Sequence, residues 1–131
     1  MKVLFVHGAY QQFGGEDSVV KAETELLQSH GDEVFHYGRH NDEIKSFSVA
    51  QKALFFPQTI YSWKTTSEIT DVVRRFKPDV AFVHNVYPLI SPSAYFKLHA
   101  LGVPTVQVLH NFRPFCINGL YYTQDLSLIH I

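Results

Sequence analysis

The run Val80-Ala81-Phe82-Val83-His84-Asn85 decides the fold, because four consecutive apolar residues end in a histidine and a small polar residue. Apolar residues without alternation are typical of a strand that is buried on both faces of a parallel sheet. The same pattern occurs at residues 3–6, which His7 follows. Residues 104–109, which His110 follows, are interpreted as a third buried strand, although Thr105 and Gln107 interrupt its apolar residues. Three buried parallel strands, each ending in a histidine, are therefore predicted.

Segments with helical periodicity lie between these strands. Residues 16–30 begin with acidic side chains and end before Gly31, as is typical of a helix. Its predicted apolar face consists of Val19, Val20, Leu26 and Leu27. Residues 67–77 predict a second helix, with Ser67 as its N-terminal cap and Pro78 beyond its end.

A third helix is predicted at residues 91–101, which Gly102 ends, and a further strand at residues 33–37. Residues 46–56 have weaker helical character, and we expect Pro57 to interrupt that segment. Alternating strands and helices predict an α/β fold, a Rossmann-like parallel sheet flanked by helices, with right-handed crossovers.

The composition fits one folded domain with a buried core. The 131 residues are 46% hydrophobic, which is too apolar for a disordered chain. With 11 basic and 12 acidic residues the net charge is −1, so general attraction to nucleic acid is not expected. The single cysteine, Cys116, cannot form an internal disulfide. Without a long apolar run, we expect a cytoplasmic protein, with peripheral contact at the inner face of a membrane left open.

The three histidines form the first candidate site. Ligands of open parallel sheets bind at the carboxyl ends of the strands, where His7, His84 and His110 are expected. There they could contact sugar hydroxyls, transfer protons or contact phosphate. The alternative is that each histidine only caps its strand through a backbone hydrogen bond. A zinc site is disfavoured because no carboxylate or thiolate partner is evident.

The pair Gly14-Gly15 forms the second candidate, because successive glycines before a helix let backbone amides approach a phosphate. The alternative is an ordinary turn. Glu16 and Asp17 follow at once, and they either hold sugar hydroxyls or only stabilise the start of the helix. Aromatic residues near the second histidine could stack on a sugar or belong to the core, namely Tyr87, Tyr95 and Phe96.

Several motifs together resemble the N-terminal half of the family-4 glycosyltransferases, in an order and spacing that extends from residue 1 to about residue 123. The motifs are Gly14-Gly15-Glu16-Asp17, Lys77-Pro78-Asp79-Val80, Val83-His84-Asn85, Leu89-Ile90-Ser91-Pro92-Ser93, Gly102-Val103-Pro104-Thr105-Val106-Gln107, Leu109-His110-Asn111-Phe112-Arg113 and Cys116-Ile117-Asn118-Gly119. The resemblance implies the N-terminal, acceptor-side half of a two-domain GT-B architecture.

The family resemblance also implies an activity and its residues. Such enzymes transfer a sugar from a nucleotide-sugar donor with retention, usually without a metal or other cofactor, often in polysaccharide or cell-envelope glycan synthesis. The donor is a co-substrate, and the acceptor is a glycan or a lipid-linked acceptor. His110 is the implied catalytic residue; the implied donor-binding residues are Gly14, Gly15 and Asn111. The implied acceptor-binding residues are Glu16, His84, Asn85, Tyr87 and Arg113.

The resemblance ends near residue 124, before the donor-binding half that the family carries. We therefore expect residues 1–124 to form an incomplete domain that is inactive alone, and residues 125–131 to be a non-native tail or a short terminal strand. Two other classes stay open. One is a non-catalytic α/β binding or regulatory module. The other is a flavodoxin-like or nucleotide-dependent oxidoreductase, which the missing three-glycine fingerprint disfavours.

Overall fold

The computed structural model describes residues 1–9, 14–40, 42–43, 47–110, 122–123 and 126–127. Its elements in chain order are β1 (Lys2–Ala9), α1 (Gly15–Ser29), β2 (Glu33–His40), α2 (Val49–Ile60), α3 (Trp63–Phe76), β3 (Val80–Asn85), α4 (Ser93–Ala100), β4 (Thr105–Gln107), β5 (Tyr122–Thr123) and β6 (Leu126–Ser127). The four predicted strands are all present, and β1, β2 and β3 extend beyond their predicted ends.

The first four strands form one parallel sheet in the order β2-β1-β3-β4. In register, Phe5 of β1 lies beside His36 of β2 on one side and Phe82 of β3 on the other. The chain reverses its direction of winding between β1 and β3, which is the position where ligands of such sheets bind. The predicted Rossmann-like α/β fold is therefore confirmed.

Helices cover both faces of this sheet. On one face α1 packs through Val20 and Leu27 on Val3 and Phe5. On the other face α3 and α4 enclose the larger cluster of buried apolar side chains, which consists of Leu4, Val6, Tyr37, Ile69, Ala81, Val83, Val86, Ile90, Ala94, Leu98 and Val103. The central strand β1 contributes to both clusters because its side chains alternate between the faces.

The predicted apolar face of α1 was partly wrong. Val20 is buried as expected, but Val19 and Leu26 are exposed. The helix turns positions 20 and 27 toward the sheet, and position 23 lies between them on the same side of the helix. A charged residue, Glu23, therefore occupies an inward position that the apolar pattern did not reveal.

The predicted start of α3 was also wrong. The helix begins one turn earlier, at Trp63, and the Ser62 hydroxyl oxygen accepts a hydrogen bond from the Thr65 amide at 3.2 Å. Ser67 lies inside the helix and is exposed. Ser62 was missed because the polar threonines in the first turn after it did not indicate an inward helical face, whereas the structure buries both Thr65 and Thr66.

The prediction that Pro57 interrupts its segment was wrong, because α2 continues through it to Ile60. Pro57 lacks an amide hydrogen, but its carbonyl accepts the Tyr61 amide at 3.0 Å, so the last turn persists.

The last strand of the parallel sheet differs from its prediction as a long buried strand. Residues 105–107 are all exposed, and among the described strands β4 pairs only with β3. Its position at the edge of the sheet explains the exposure. In the segment expected to be a tail, Leu126–Ser127 forms a short antiparallel pair with Tyr122–Thr123.

The cap at Ser62 generates a stability prediction. Replacing Ser62 with alanine leaves the Thr65 amide without its acceptor, so we expect the free energy of unfolding to fall by about 1 kcal/mol. Ser67→Ala is the matched control, and it should change the stability by no more than a few tenths of a kcal/mol. Urea denaturation followed by circular dichroism measures both. Equal effects of the two substitutions would show that Ser62 is not the cap.

Candidate functional site

The carboxyl ends of β1, β3 and β4 bring the three predicted histidines to one edge of the sheet. The Nδ1 atom of His84 lies 2.8 Å from the Nε2 atom of His110. The rings of His7 and His84 meet edge to face, with their centroids 6.0 Å apart. The predicted clustering of these three side chains is confirmed, whereas their roles toward a ligand stay predictions.

A cleft of about 340 Å³ opens beside His84 and His110, between the end of the sheet and the start of α4. Its lining residues are His84, Asn85, Val86, Tyr87, Pro92, Tyr95, Gln107, Val108, Leu109 and His110. Four of the predicted site residues are therefore in one cleft. Among the residues that the structure describes, none with a full charge at neutral pH lines it. The cleft presents aromatic rings, an amide and imidazoles, which suits a neutral polar ligand.

Asn85 holds the floor of the cleft in place. Its side-chain nitrogen donates to the Gly8 carbonyl at 3.2 Å, and its side-chain oxygen accepts the Tyr87 amide at 3.1 Å. A β-carbon on Gly8 would lie 3.3 Å from the carbonyl oxygen of Asn85, so a side chain there would fit only if that backbone shifted by a few tenths of an ångström. These contacts favour a positioning role for Asn85, and its predicted contact with an acceptor stays a prediction.

Two tyrosines form the aromatic walls of the cleft. Tyr87 is 44% exposed, so its ring is available to a ligand. The Tyr95 hydroxyl donates to the side-chain oxygen of Gln107, and the Gln107 nitrogen donates to the Val108 carbonyl at 2.8 Å. Burial, together with nearby Tyr87, raises the pKa of Tyr95 to about 12, so it remains a neutral donor. Phe96 is exposed and does not line the cleft, so it belongs neither to the hydrophobic core nor to the wall of the cleft.

His84 is the most enclosed polar group of the site. Its side chain is fully buried, and its ring stacks on Phe5 at 5.1 Å and on His110 at 5.1 Å between centroids. Burial lowers the pKa of His84 to about 4, and the nearby imidazoles of His110, His7 and His36 act in the same direction. His84 is therefore neutral at physiological pH.

Glu23 of α1 also contacts this site. It was not predicted from the sequence as a site residue. Its Oε2 atom lies 3.3 Å from the Nε2 atom of His84. The only signal in the sequence was a charged residue three positions after Val20 and four before Leu27, on the inward side of the helix.

The start of α1 connects to the histidines through Asp17. The His7 Nε2 atom donates to one oxygen of Asp17 at 2.9 Å, and the Gly14 amide donates to the other at 2.8 Å. Burial acts to raise the pKa of Asp17, but the hydrogen bonds from His7 and Gly14 outweigh it and the pKa is lowered. Asp17 is thus engaged within the protein as a helix-start group.

The predicted glycine site lies at the N-terminus of α1 and does not line the cleft. Gly14 has extended backbone angles, and Gly15 does not adopt a positive φ. A β-carbon on Gly15 would meet nothing within 4 Å, so its surroundings leave room for a ligand and do not themselves require glycine. Glu16, half-buried in the first turn, is likewise not brought into the cleft. Asn111 and Arg113 lie outside the described residues.

His36, on the neighbouring strand β2, lies beside the site. Its ring stacks on Phe5 at 5.3 Å between centroids. The Thr24 hydroxyl donates to the Val20 carbonyl at 2.6 Å, so its oxygen accepts from the Nε2 atom of His36 at 3.2 Å. Burial, followed by the neighbouring His7, lowers the pKa of His36.

Comparisons with known proteins add no family assignment. No protein-family model matches the chain, and no curated protein matches it significantly.

Within the described residues there is no group of three or more metal-ligating side chains arranged to hold a metal ion. The described helices also include none with the length and apolar character needed to cross a membrane.

The lowered pKa of His84 makes stability depend on pH. The unfolded imidazole, with a pKa near 6.5, binds a proton as pH falls, whereas the folded one does not until about pH 4. Stability is therefore fully present above about pH 6.5 and is lost as pH falls toward 4. Allowing for partial solvent screening, the loss is on the order of 2 kcal/mol. Urea denaturation at a series of pH values measures it.

His84→Gln should lose this part of the slope, whatever its stability at pH 7.5. His99→Gln, at an exposed position of α4, is the matched control and should keep the slope of the unmodified chain. Identical slopes in the His84→Gln variant and the unmodified chain would contradict a neutral, buried His84.

Proposed function

We propose that this chain is the acceptor-side domain of a retaining glycosyltransferase, with the donor-binding domain outside these 131 residues. The observation that carries the proposal is the uncharged cleft at the carboxyl edge of the sheet, where His84 and His110 meet two tyrosines. The strand order alone does not decide the function, because one α/β scaffold serves many activities.

The cleft has the chemistry that a sugar ring requires. A pyranose has apolar C–H faces and a polar rim, so it needs an aromatic surface together with hydrogen-bonding groups. Tyr87 supplies an exposed aromatic face, while Gln107 and His110 supply polar groups to the same lining. The volume of about 340 Å³ lies within the range of small-molecule sites and is sufficient for a monosaccharide unit.

The start of α1 supports a donor diphosphate nearby. The positive end of a helix dipole favours an anion, and a β-carbon on Gly15 would meet nothing within 4 Å, so there is open space at this end of the helix. Asp17 faces His7 and the Gly14 amide, so its charge is compensated within the protein. The proposed donor therefore approaches the edge of the sheet from the α1 side, and the proposed acceptor from the cleft.

The role we propose for His110 is to bind and orient the transferred sugar. Departure of a nucleotide builds positive character on the sugar ring and negative charge on the leaving phosphate. An imidazole that holds a sugar hydroxyl accelerates the reaction only if that bond is stronger in the transition state than in the ground state. His110 is not proposed as a nucleophile, because its described neighbour His84 has a pKa lowered to about 4 and is therefore a weak base for activating it.

Kinetics on the complete enzyme test this proposal. His110→Ala should lower turnover by roughly 10² or more, the range for losing one preorganised polar contact. Initial rates of nucleoside diphosphate release from a panel of nucleotide sugars, with and without saccharide acceptors, provide the measurement. Circular dichroism confirms that each variant is folded.

His30→Ala is the matched control. His30 is exposed and lies between α1 and the start of β2, at the opposite edge of the sheet from the cleft, so its loss should change turnover little. Near-normal turnover of a folded His110→Ala enzyme would show that His110 only caps its strand and has no role in catalysis. Absence of any release or transfer from the unmodified enzyme across the panel would favour the non-catalytic binding module.

A further inference from the structure

Beneath α1, imidazoles from three neighbouring positions of the sheet each meet a polar side chain of the helix. The pairs are Asp17 with His7, Thr24 with His36 and Glu23 with His84. The residues of the first two pairs line a pocket between α1 and the strands β1 and β2. The third differs, because the other ring nitrogen of His84 contacts His110 in the cleft.

The Glu23–His84–His110 series is a continuous contact from α1 to the cleft. The Oε2 atom of Glu23 and the Nε2 atom of His84 are both buried, and neither forms a hydrogen bond with any of the described residues. They lie 3.3 Å apart, so each is placed to satisfy the other after a small rotation of either side chain. The Nδ1 atom of His84 then lies 2.8 Å from the Nε2 atom of His110.

Only one arrangement of protons suits an ionised Glu23. If the His84 proton were on Nδ1, it would be donated to His110, and the lone pair on Nε2 would face the carboxylate at 3.3 Å. If the proton is on Nε2, a small rotation of either side chain lets it be donated to the carboxylate, and Nδ1 accepts the Nε2 hydrogen of His110. The second arrangement replaces repulsion between two buried lone pairs with a charge-assisted hydrogen bond.

We propose that Glu23 is a positioning residue that acts through His84 to place the proton of His110 on Nε2. The Nδ1 atom of His110 is then left as a hydrogen-bond acceptor. An acceptor at this position selects a ligand group that donates, such as a hydroxyl, and disfavours a phosphate or carboxylate oxygen. This choice of ligand group rests on the proposed function, whereas the proton placement does not.

The neutrality of His84 is consistent with this arrangement. Its burial between Phe5 and His110 holds its pKa near 4, so at neutral pH it carries a single proton. A single proton cannot be donated to both Glu23 and His110. Because Glu23 and His110 compete for this proton, the carboxylate of Glu23 on α1 determines the tautomer of His110 in the cleft.

The tautomers can be read directly by NMR on the ligand-free chain. With ¹⁵N-labelled histidine, long-range ¹H–¹⁵N correlations at about pH 8 distinguish a protonated from an unprotonated ring nitrogen, and an ordinary imidazole is neutral there. His84→Gln and His110→Gln variants assign the two rings. We expect both rings to carry hydrogen on Nε2, with a preference of about tenfold or more over the other tautomer.

Glu23→Gln tests the cause. The carboxamide can accept or donate, so the preference at His84 and His110 should shrink toward a mixture of tautomers. Glu25→Gln makes the same change at an exposed position of the same helix and should leave both tautomers unchanged. Glu23→Ala is a second variant that removes the carboxylate if the carboxamide prevents folding.

Two results would overturn the proposal. One is hydrogen on Nδ1 of His110 in the unmodified chain, and the other is an unchanged tautomer of His110 after removal of the Glu23 carboxylate. Neither result depends on enzymatic activity. A failed search for glycosyl transfer therefore leaves the tautomer measurement intact, and an unexpected tautomer leaves the transfer assay to decide the function.

Discussion

The buried imidazole of His84 is the group on which the arrangement of the site depends. It stacks on Phe5 of the central strand, faces Glu23 of α1 and meets His110 beyond β4. A buried polar ring with so many neighbours is stable only if each of its nitrogens finds a suitable partner. The contacts of His84 with Glu23 and His110 therefore connect the helix on one face of the sheet to the cleft at its edge.

The parallel sheet makes this coupling available. Because β1 and β3 are neighbours at the point where the chain reverses its winding, their carboxyl ends bring His7 and His84 together. The short exposed strand β4 then delivers His110 beside His84 without burying it. The result is a site with an interior ring fixed by packing and an outer ring that faces a ligand-sized cleft.

The sequence predicted what local patterns determine, namely the four parallel strands, the flanking helices and the meeting of the three histidines. It failed where tertiary contacts override local pattern. Ser67 was predicted as the cap because the polar residues after Ser62 did not look like the buried face of a helix. The fold buries two of them, and the helix begins earlier. Glu23 was missed because a charged residue at an inward helical position becomes meaningful only once its buried partner, His84, is known.

The most direct measurement is an NMR titration of the ¹⁵N-labelled chain with simple methyl glycosides, and separately with nucleoside diphosphates. If the cleft is the sugar site, the glycosides should shift the amide signals of Tyr87, Gln107 and His110, with saturation, while Phe96 and His30 remain unchanged. Tyr87→Ala should remove the response and Phe96→Ala should preserve it. Saturable glycoside binding that maps elsewhere, or none across the panel, would contradict a sugar site in this cleft.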